Sequence, residues 1–182
     1  MKKLLVLILV FGTASMAVAV PVLRVDPADV KDNYYASDVI TIQLYDKGAV
    51  RGIAMDAITD YGCGGVVFNE TFNSAFDIQW PGQLNADGML LEYTAALTTT
   101  SNYATGVLYS FEYHVPSVPF STMITITTYN DGGNIWYPAE VDYADGSAYI
   151  CPPELAVTIH KCPEPTTIAF LGLGGLMLRR KR

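Results

Sequence analysis

From Val39 to His160, apolar and polar residues alternate at nearly every second position, and turn-forming residues repeatedly cut the pattern short. Such alternation belongs to strands with one buried face, because successive side chains of a strand point to opposite sides of a sheet. In the first run Val39, Thr41, Gln43 and Tyr45 oppose Ile40, Ile42 and Leu44. Similar runs cover Val50 to Ile58, Gly88 to Thr94, Val107 to Val115, Thr122 to Tyr129 and Leu155 to His160. Asp46-Lys47-Gly48, Gly62-Cys63-Gly64-Gly65, Pro81-Gly82, Asp87-Gly88, Asp131-Gly132-Gly133 and Asp145-Gly146 separate them and read as turns. A helix would need a long 3.6-residue stripe; only Asn85 to Leu97 offers one, and it reads at least as well as a strand. The pattern predicts an all-β chain: a single jelly-roll-like antiparallel β-sandwich over residues 20–160. Roughly 140 residues suffice for a core without cross-links.

The two ends follow other rules. Lys2 and Lys3 precede an apolar run from Leu4 to Phe11, and small residues follow, with Ala17 and Ala19 at the positions a signal peptidase needs small. Residues 1–19 are therefore expected to be a signal peptide with a helical apolar region, cut between Ala19 and Val20. At the other end Pro163-Glu164-Pro165-Thr166 leads into the apolar stretch Thr167 to Leu178 and then Arg179-Arg180-Lys181-Arg182. Basic residues beside an apolar segment resist translocation, so a short transmembrane helix with these four cations on the cytoplasmic side is expected. Lys2 and Lys3 place the N-terminus on that same side. As a helix the stretch would reach about 18 Å at 1.5 Å per residue, short of a hydrocarbon core of about 30 Å. A transient hold fits better than a permanent anchor.

Pro163-Glu164-Pro165, the run Leu171-Gly172-Leu173-Gly174-Gly175-Leu176 and the terminal Arg-Arg-Lys-Arg together resemble the PEP-CTERM sorting signal. The resemblance covers Pro163 to Arg182 within a tail of residues 161–182. It implies recognition by an exosortase, a membrane-embedded sorting protease that removes the tail and passes the protein to the cell surface or an exopolysaccharide matrix.

A second resemblance lies in Ser37-Asp38-Val39-Ile40-Thr41-Ile42-Gln43-Leu44, Val50-Arg51-Gly52-Ile53-Ala54-Met55-Asp56 and Gly106-Val107-Leu108-Tyr109-Ser110-Phe111-Glu112-Tyr113-His114-Val115. These runs are similar to strands of cohesin-type domains, a flattened jelly-roll sandwich whose fold is shared with a class of carbohydrate-binding modules. After Asp56 the usual aromatic and Asp-Pro context gives way to Ala57-Ile58-Thr59-Asp60-Tyr61, a departure that bears on dockerin binding in particular. The resemblance implies a non-catalytic module for adhesion or structural interaction, with polysaccharide or a surface protein as partner.

Charge and chemistry narrow the function further. Six of the eleven basic residues lie in the two end segments, leaving Arg24, Lys31, Lys47, Arg51 and Lys161 against all eighteen Asp and Glu. So acidic a domain does not bind nucleic acid. His114 and His160 both sit in alternating strands, and no nucleophile elbow, zinc helix or phosphate loop occurs, so no enzyme is expected. Glu92 with Glu112, or Asp77 with Asp87, are the carboxylate pairs that glycosidase chemistry would draw on. No cofactor is implied, although Asp131, Asp142 and Asp145 offer turn oxygens of the kind calcium accepts. Trp80, Trp136 and Tyr137, with Tyr143 and Tyr149, are candidates for stacking on sugar rings, against core packing as the alternative. Cys63, Cys151 and Cys162 are an odd set for an oxidising compartment, and pairing of Cys151 with Cys162 or with Cys63 stays open. Zinc binding lacks the ligand pairs it needs.

Overall fold

The structure is a computed structural model that describes residues 20–36, 38–59, 66–84, 90–117, 122–129, 140–150 and 155–162. Among these residues the fold is all-β, without a helix. The strands are β1 (Val22–Val25), β2 (Val39–Thr59), β3 (Val66–Phe72), β4 (Ile78–Trp80), β5 (Gln83–Leu84), β6 (Leu91–Leu97), β7 (Ala104–His114), β8 (Thr122–Tyr129), β9 (Glu140–Tyr143), β10 (Ala148–Ile150) and β11 (Ala156–Lys161). Each pairing between them is antiparallel.

Strand β2 organises the sandwich, because its two halves serve different layers. Val39 to Asp46 pairs with β1 on one flank and β7 on the other, and β7 continues to β3. Gly52 to Thr59 pairs with β6 on one flank and with β9 then β8 on the other; β4 and β5 extend the β6 side, while β10 and β11 flank β9 and β8. The change of layer falls where the register with β7 slips between Asp46 and Val50. Asp46-Lys47-Gly48, expected as a turn between two strands, is thus a bulge inside one 21-residue strand. A bulge bends the strand and increases its twist, which carries it from one sheet to the other. Asp46 stabilises the bend by accepting from Gly48 N at 2.7 Å through Oδ1 and from the Tyr143 hydroxyl at 2.6 Å through Oδ2.

The core fills from the alternation. Ile40, Ile42 and Leu44 point inward from the first half of β2, and Ile53, Met55 and Ala57 from the second. Strand β7 contributes Tyr109, Phe111 and Tyr113, all buried, with Tyr109 packed on Phe72 at 5.0 Å and on Phe111 at 5.9 Å between ring centroids. Each such aromatic pair adds about 0.5–1.5 kcal/mol beyond burial. Ile124 and Ile126 of β8 and Ile159 of β11 close the other end. In β3, Asn69 takes the left-handed region (φ 49°) where the register slips between Phe68 and Thr71, a conformation Asn tolerates.

The strands expected from sequence recur with shifted limits: Gly88 to Thr94 becomes β6 at Leu91–Leu97, and Val107 to Val115 becomes β7 at Ala104–His114. Residues 91–97 of the ambiguous Asn85 to Leu97 segment are strand. Lys161, expected in the C-terminal tail, instead ends β11 and is buried; Cys162 N donates to Tyr34 O at 2.7 Å, and Tyr34 bridges Lys161 in parallel. The expected signal helix (1–19) and the C-terminal helix (167–178) lie outside the described residues. No helix among the described residues is long and apolar enough to cross a membrane.

Candidate functional site

The face of the second layer that points away from the core is the candidate site. Its residues follow from β2: with Ile53, Met55 and Ala57 inward, Gly52, Ala54, Asp56 and Ile58 must face out. Register then aligns rows across the sheet. Asp142, Gly52, Leu97 and Ile78 form one row, and Ala54, Ala95 and Trp80 form the next. Farther along, Ile58 meets Thr127, and Met123, Thr125 and Thr127 line the outer side of β8, with Thr125 bonded to Thr158 at 3.2 Å. Met123 is 54% exposed, Trp80 47% and Ile78 38%. The centre carries almost no side-chain bulk, so it forms a shallow trough between Trp80 and Asp142.

Two hollows open in that trough. One of about 120 Å³ lies between Trp80 and Asp142 over Gly52, Ala54 and Ala95. The other, of about 350 Å³, is lined by Arg51, Gly52, Leu97, Asp142, Tyr143, Gly146 and Ser147. They share Gly52, Leu97 and Asp142, so they form one groove. A Cβ at Gly52 would meet Asp142 Oδ2 and Ala96 O at 3.4 Å, so glycine keeps this floor low.

The turn from β9 to β10 builds the groove's far wall. Gly146 has φ +85°, which glycine adopts without the Cβ penalty. Asp145 Oδ1 accepts from Ser147 Oγ at 2.6 Å and Ser147 N at 2.9 Å, and these bonds hold its carboxyl below the usual range. Tyr143, a stacking candidate by sequence, turns inward to Asp46 and belongs to the core. Its place in strand alternation beside exposed Asp142 was the signal that could have shown this.

Of the other candidates, Trp80 is on the groove, while Trp136 and Tyr137 lie outside the described residues. Asp142 and Asp145 sit on either side of Tyr143, Asp131 lies outside the described residues, and among those described no three His, Cys, Asp or Glu side chains converge as a metal site. Asp77 is engaged by Thr99 N at 2.9 Å, Thr99 Oγ1 and Thr98 Oγ1, which lower its pKa; Asp87 lies outside the described residues. Glu112 of β7 accepts from Asn69 Nδ2 at 2.7 Å, and Glu92 belongs to β6 in the opposite layer. His114 stacks on Phe68 at 4.7 Å, and His160 Nδ1 lies 2.9 Å from Asn33 Oδ1. Cys162 is a half-buried thiol donating to the same Asn33 oxygen at 3.1 Å. Cys63, Cys151, the cleavage residues Ala17 and Ala19, the motif Pro163 to Thr166 and the basic end Arg179 to Arg182 lie outside the described residues.

Sequence reasoning missed three contributors. Arg51, Gly52 and Ser147 line the groove, and only the pairing of β2 with β9 brings them to one place.

No protein-family model and no curated protein matches the sequence. Solved structures do match the architecture. A type III cohesin module from the cellulosomal ScaE cell-surface anchoring scaffoldin of Ruminococcus flavefaciens aligns with a TM-score of 0.56 at 12% identity, over 84% of this chain and 92% of that one. The fold is a cohesin fold. A cohesin module from a family 33 glycoside hydrolase of Clostridium perfringens aligns with a TM-score of 0.53 at 12% identity, over 80% of this chain and 99% of that module. The second type II cohesin of the ScaA adaptor scaffoldin of Acetivibrio cellulolyticus gives 0.50 at 11%, over 71% and 82%. At such identities the likeness speaks for the cohesin fold alone.

Proposed function

We propose that this chain is exported and held at the cell surface or in an extracellular polysaccharide matrix, where its cohesin-type sandwich acts as a non-catalytic binding module for a surface protein. The observation that carries the binding role is the outer face of the second layer. Ile78, Trp80 and Met123 are exposed on this face and Leu97 and Ile58 half-buried, with a floor of Gly52, Ala54 and Ala95. Exposed apolar side chains gathered on one face mark interaction sites. Asp56 and Asp142 give the face negative charge, so the fitting partner is apolar with basic residues at its rim. A dockerin-type partner is what the sequence resemblance implies, with the departure at Ala57 to Tyr61 counting against it; the cohesin module aligned from Ruminococcus flavefaciens belongs to a cell-surface anchoring scaffoldin, in keeping with display outside the cell.

Delivery rests on the sequence of the ends. Residues 1–19 direct export, and residues 161–182 carry the sorting motif at Pro163 to Thr166, the apolar segment 167–178 and the basic end 179–182, for removal by an exosortase at the membrane.

Intact mass of the protein from surface, matrix and membrane fractions of its native host tests both halves. Chains beginning at Val20, ending near Pro165 and found outside the membrane are the expected result. Chains that keep Arg182 and stay in the membrane would make the tail an anchor. For the face, Ile58→Asp is expected to release the processed protein from the surface fraction into the medium with both ends cut at the same residues.

A further inference from the structure

The groove at the Trp80 end of this face carries chemistry that a protein partner does not need. The Trp80 indole is half-exposed on strand β4 and, among the described residues, packs over no other aromatic ring. The Arg51 guanidinium and the Asp142 carboxylate are exposed on the same hollow, and among the described residues neither takes part in a hydrogen bond or an ion pair. A free aromatic face, a free donor and a free acceptor therefore border one trough whose floor is Gly52, Ala54 and Ala95. From β4 to β9 the trough crosses three strand spacings, about 14 Å in all. The two hollows, of about 120 and 350 Å³, are open.

We infer that this groove binds a short run of a neutral polysaccharide, with one pyranose ring stacked on Trp80 and the hydroxyls of the next rings donating to Asp142 and accepting from Arg51. A pyranose with equatorial hydroxyls has an apolar C–H face and a polar rim, and aromatic surfaces with a polar neighbour suit such amphipathic partners. Low bulk at Gly52, Ala54 and Ala95 lets the chain lie against the sheet. Neutrality follows from charge: Asp142 lies in the groove and Asp145 in the turn that walls it, in a domain of eighteen acidic against five basic residues, so an anionic glycan is repelled. The inference goes beyond the protein-binding reading: the groove shares Trp80, Leu97, Gly52, Ala54 and Ala95 with that face, while Ile58 and Met123 lie outside the groove.

Calorimetry on the full processed protein, purified from its native surface or matrix fraction, tests it with cellohexaose, mannohexaose, xylohexaose and, as the acidic counterpart, hexagalacturonate. Saturable binding of at least one neutral hexasaccharide is expected, with none for hexagalacturonate. Trp80→Ala should weaken that binding about tenfold or more, and Asp142→Asn and Gly52→Val should weaken it as well. Since Trp80 is exposed and unbonded, its variant keeps the wild-type unfolding midpoint. Ile58→Asp should leave glycan affinity unchanged whether or not it loses the protein partner, which separates the two sites. Binding to none of the neutral hexasaccharides, or neutral-glycan binding that survives Trp80→Ala, overturns the inference. Loss of a protein partner from the Trp80→Ala variant without any glycan binding would assign the groove to the protein surface instead.

Discussion

A few buried polar side chains set the stability of this molecule. Asp46 is fully buried and holds both the β2 bulge and the Tyr143 hydroxyl, so removing it strands a buried phenol and an amide. Asp46→Ala is expected to cost about 3 kcal/mol and Tyr143→Phe about 1 kcal/mol, read from urea midpoints, with less than the sum in the double variant. Tyr109 donates to Glu70 at 2.5 Å; burial, then this bond, pushes its pKa far up. Its neutral form is therefore favoured in the folded state, and the associated stability is fully present below the ordinary phenol value of 10 and lost as pH rises beyond it. Alkaline unfolding should begin above that value, and Tyr109→Phe should flatten the alkaline limb. Asp77 and Asp145 behave in the opposite sense: hydrogen bonds from Thr99 and from Ser147 lower their pKa values, so their contribution persists above 3.8 and fades as pH falls through the lower folded values. Asp145→Asn, which keeps an acceptor for Ser147, should reduce the acid dependence of the unfolding midpoint.

Among the elements, β2 bears the most. It shares ladders with β1, β6, β7, β8 and β9, so opening it breaks both layers at once, whereas among the described residues β4 pairs only with β6, and all its residues are exposed. Hydrogen exchange should follow this order: the amides of Ile42, Leu44, Ile53 and Met55 exchange last, through global unfolding, and those of Ile78 to Trp80 exchange early. Early exchange throughout β2 would show that the layers open separately. The alternation made β2, β7 and β8 legible because each buries one face along its length. Strands β4 and β10, with three residues each, and β5, with two, are too short for a period-two pattern to show. Asp46-Lys47-Gly48 is the same local signal whether the chain reverses or only bends; β7, sixty residues away, supplies the partner that makes it bend.

For the molecule as a whole, the balance of five basic against eighteen acidic residues between Val20 and Pro165 sets how it meets partners. Association of the sandwich with a basic-rimmed protein should slow as salt rises from 0.05 to 0.5 M, by about tenfold in on-rate, because screening shortens the reach of the field. Neutral-glycan binding should change little over the same range. Stopped-flow association and calorimetry distinguish the two dependences.

The sequence alone determined the all-β class, the inward and outward side of each long strand, and the acidity of the domain, because periodicity and charge are properties of neighbouring residues. The export and sorting readings rest there too, on Ala17, Ala19 and the run from Pro163 to Arg182. Tertiary structure alone decided that β2 serves both layers, that Tyr143 belongs to the core, and that Trp80, Arg51 and Asp142 share one groove. Those residues come from β4, β2 and β9, and their meeting depends on strand order and register, which long-range pairing fixes and local sequence does not carry.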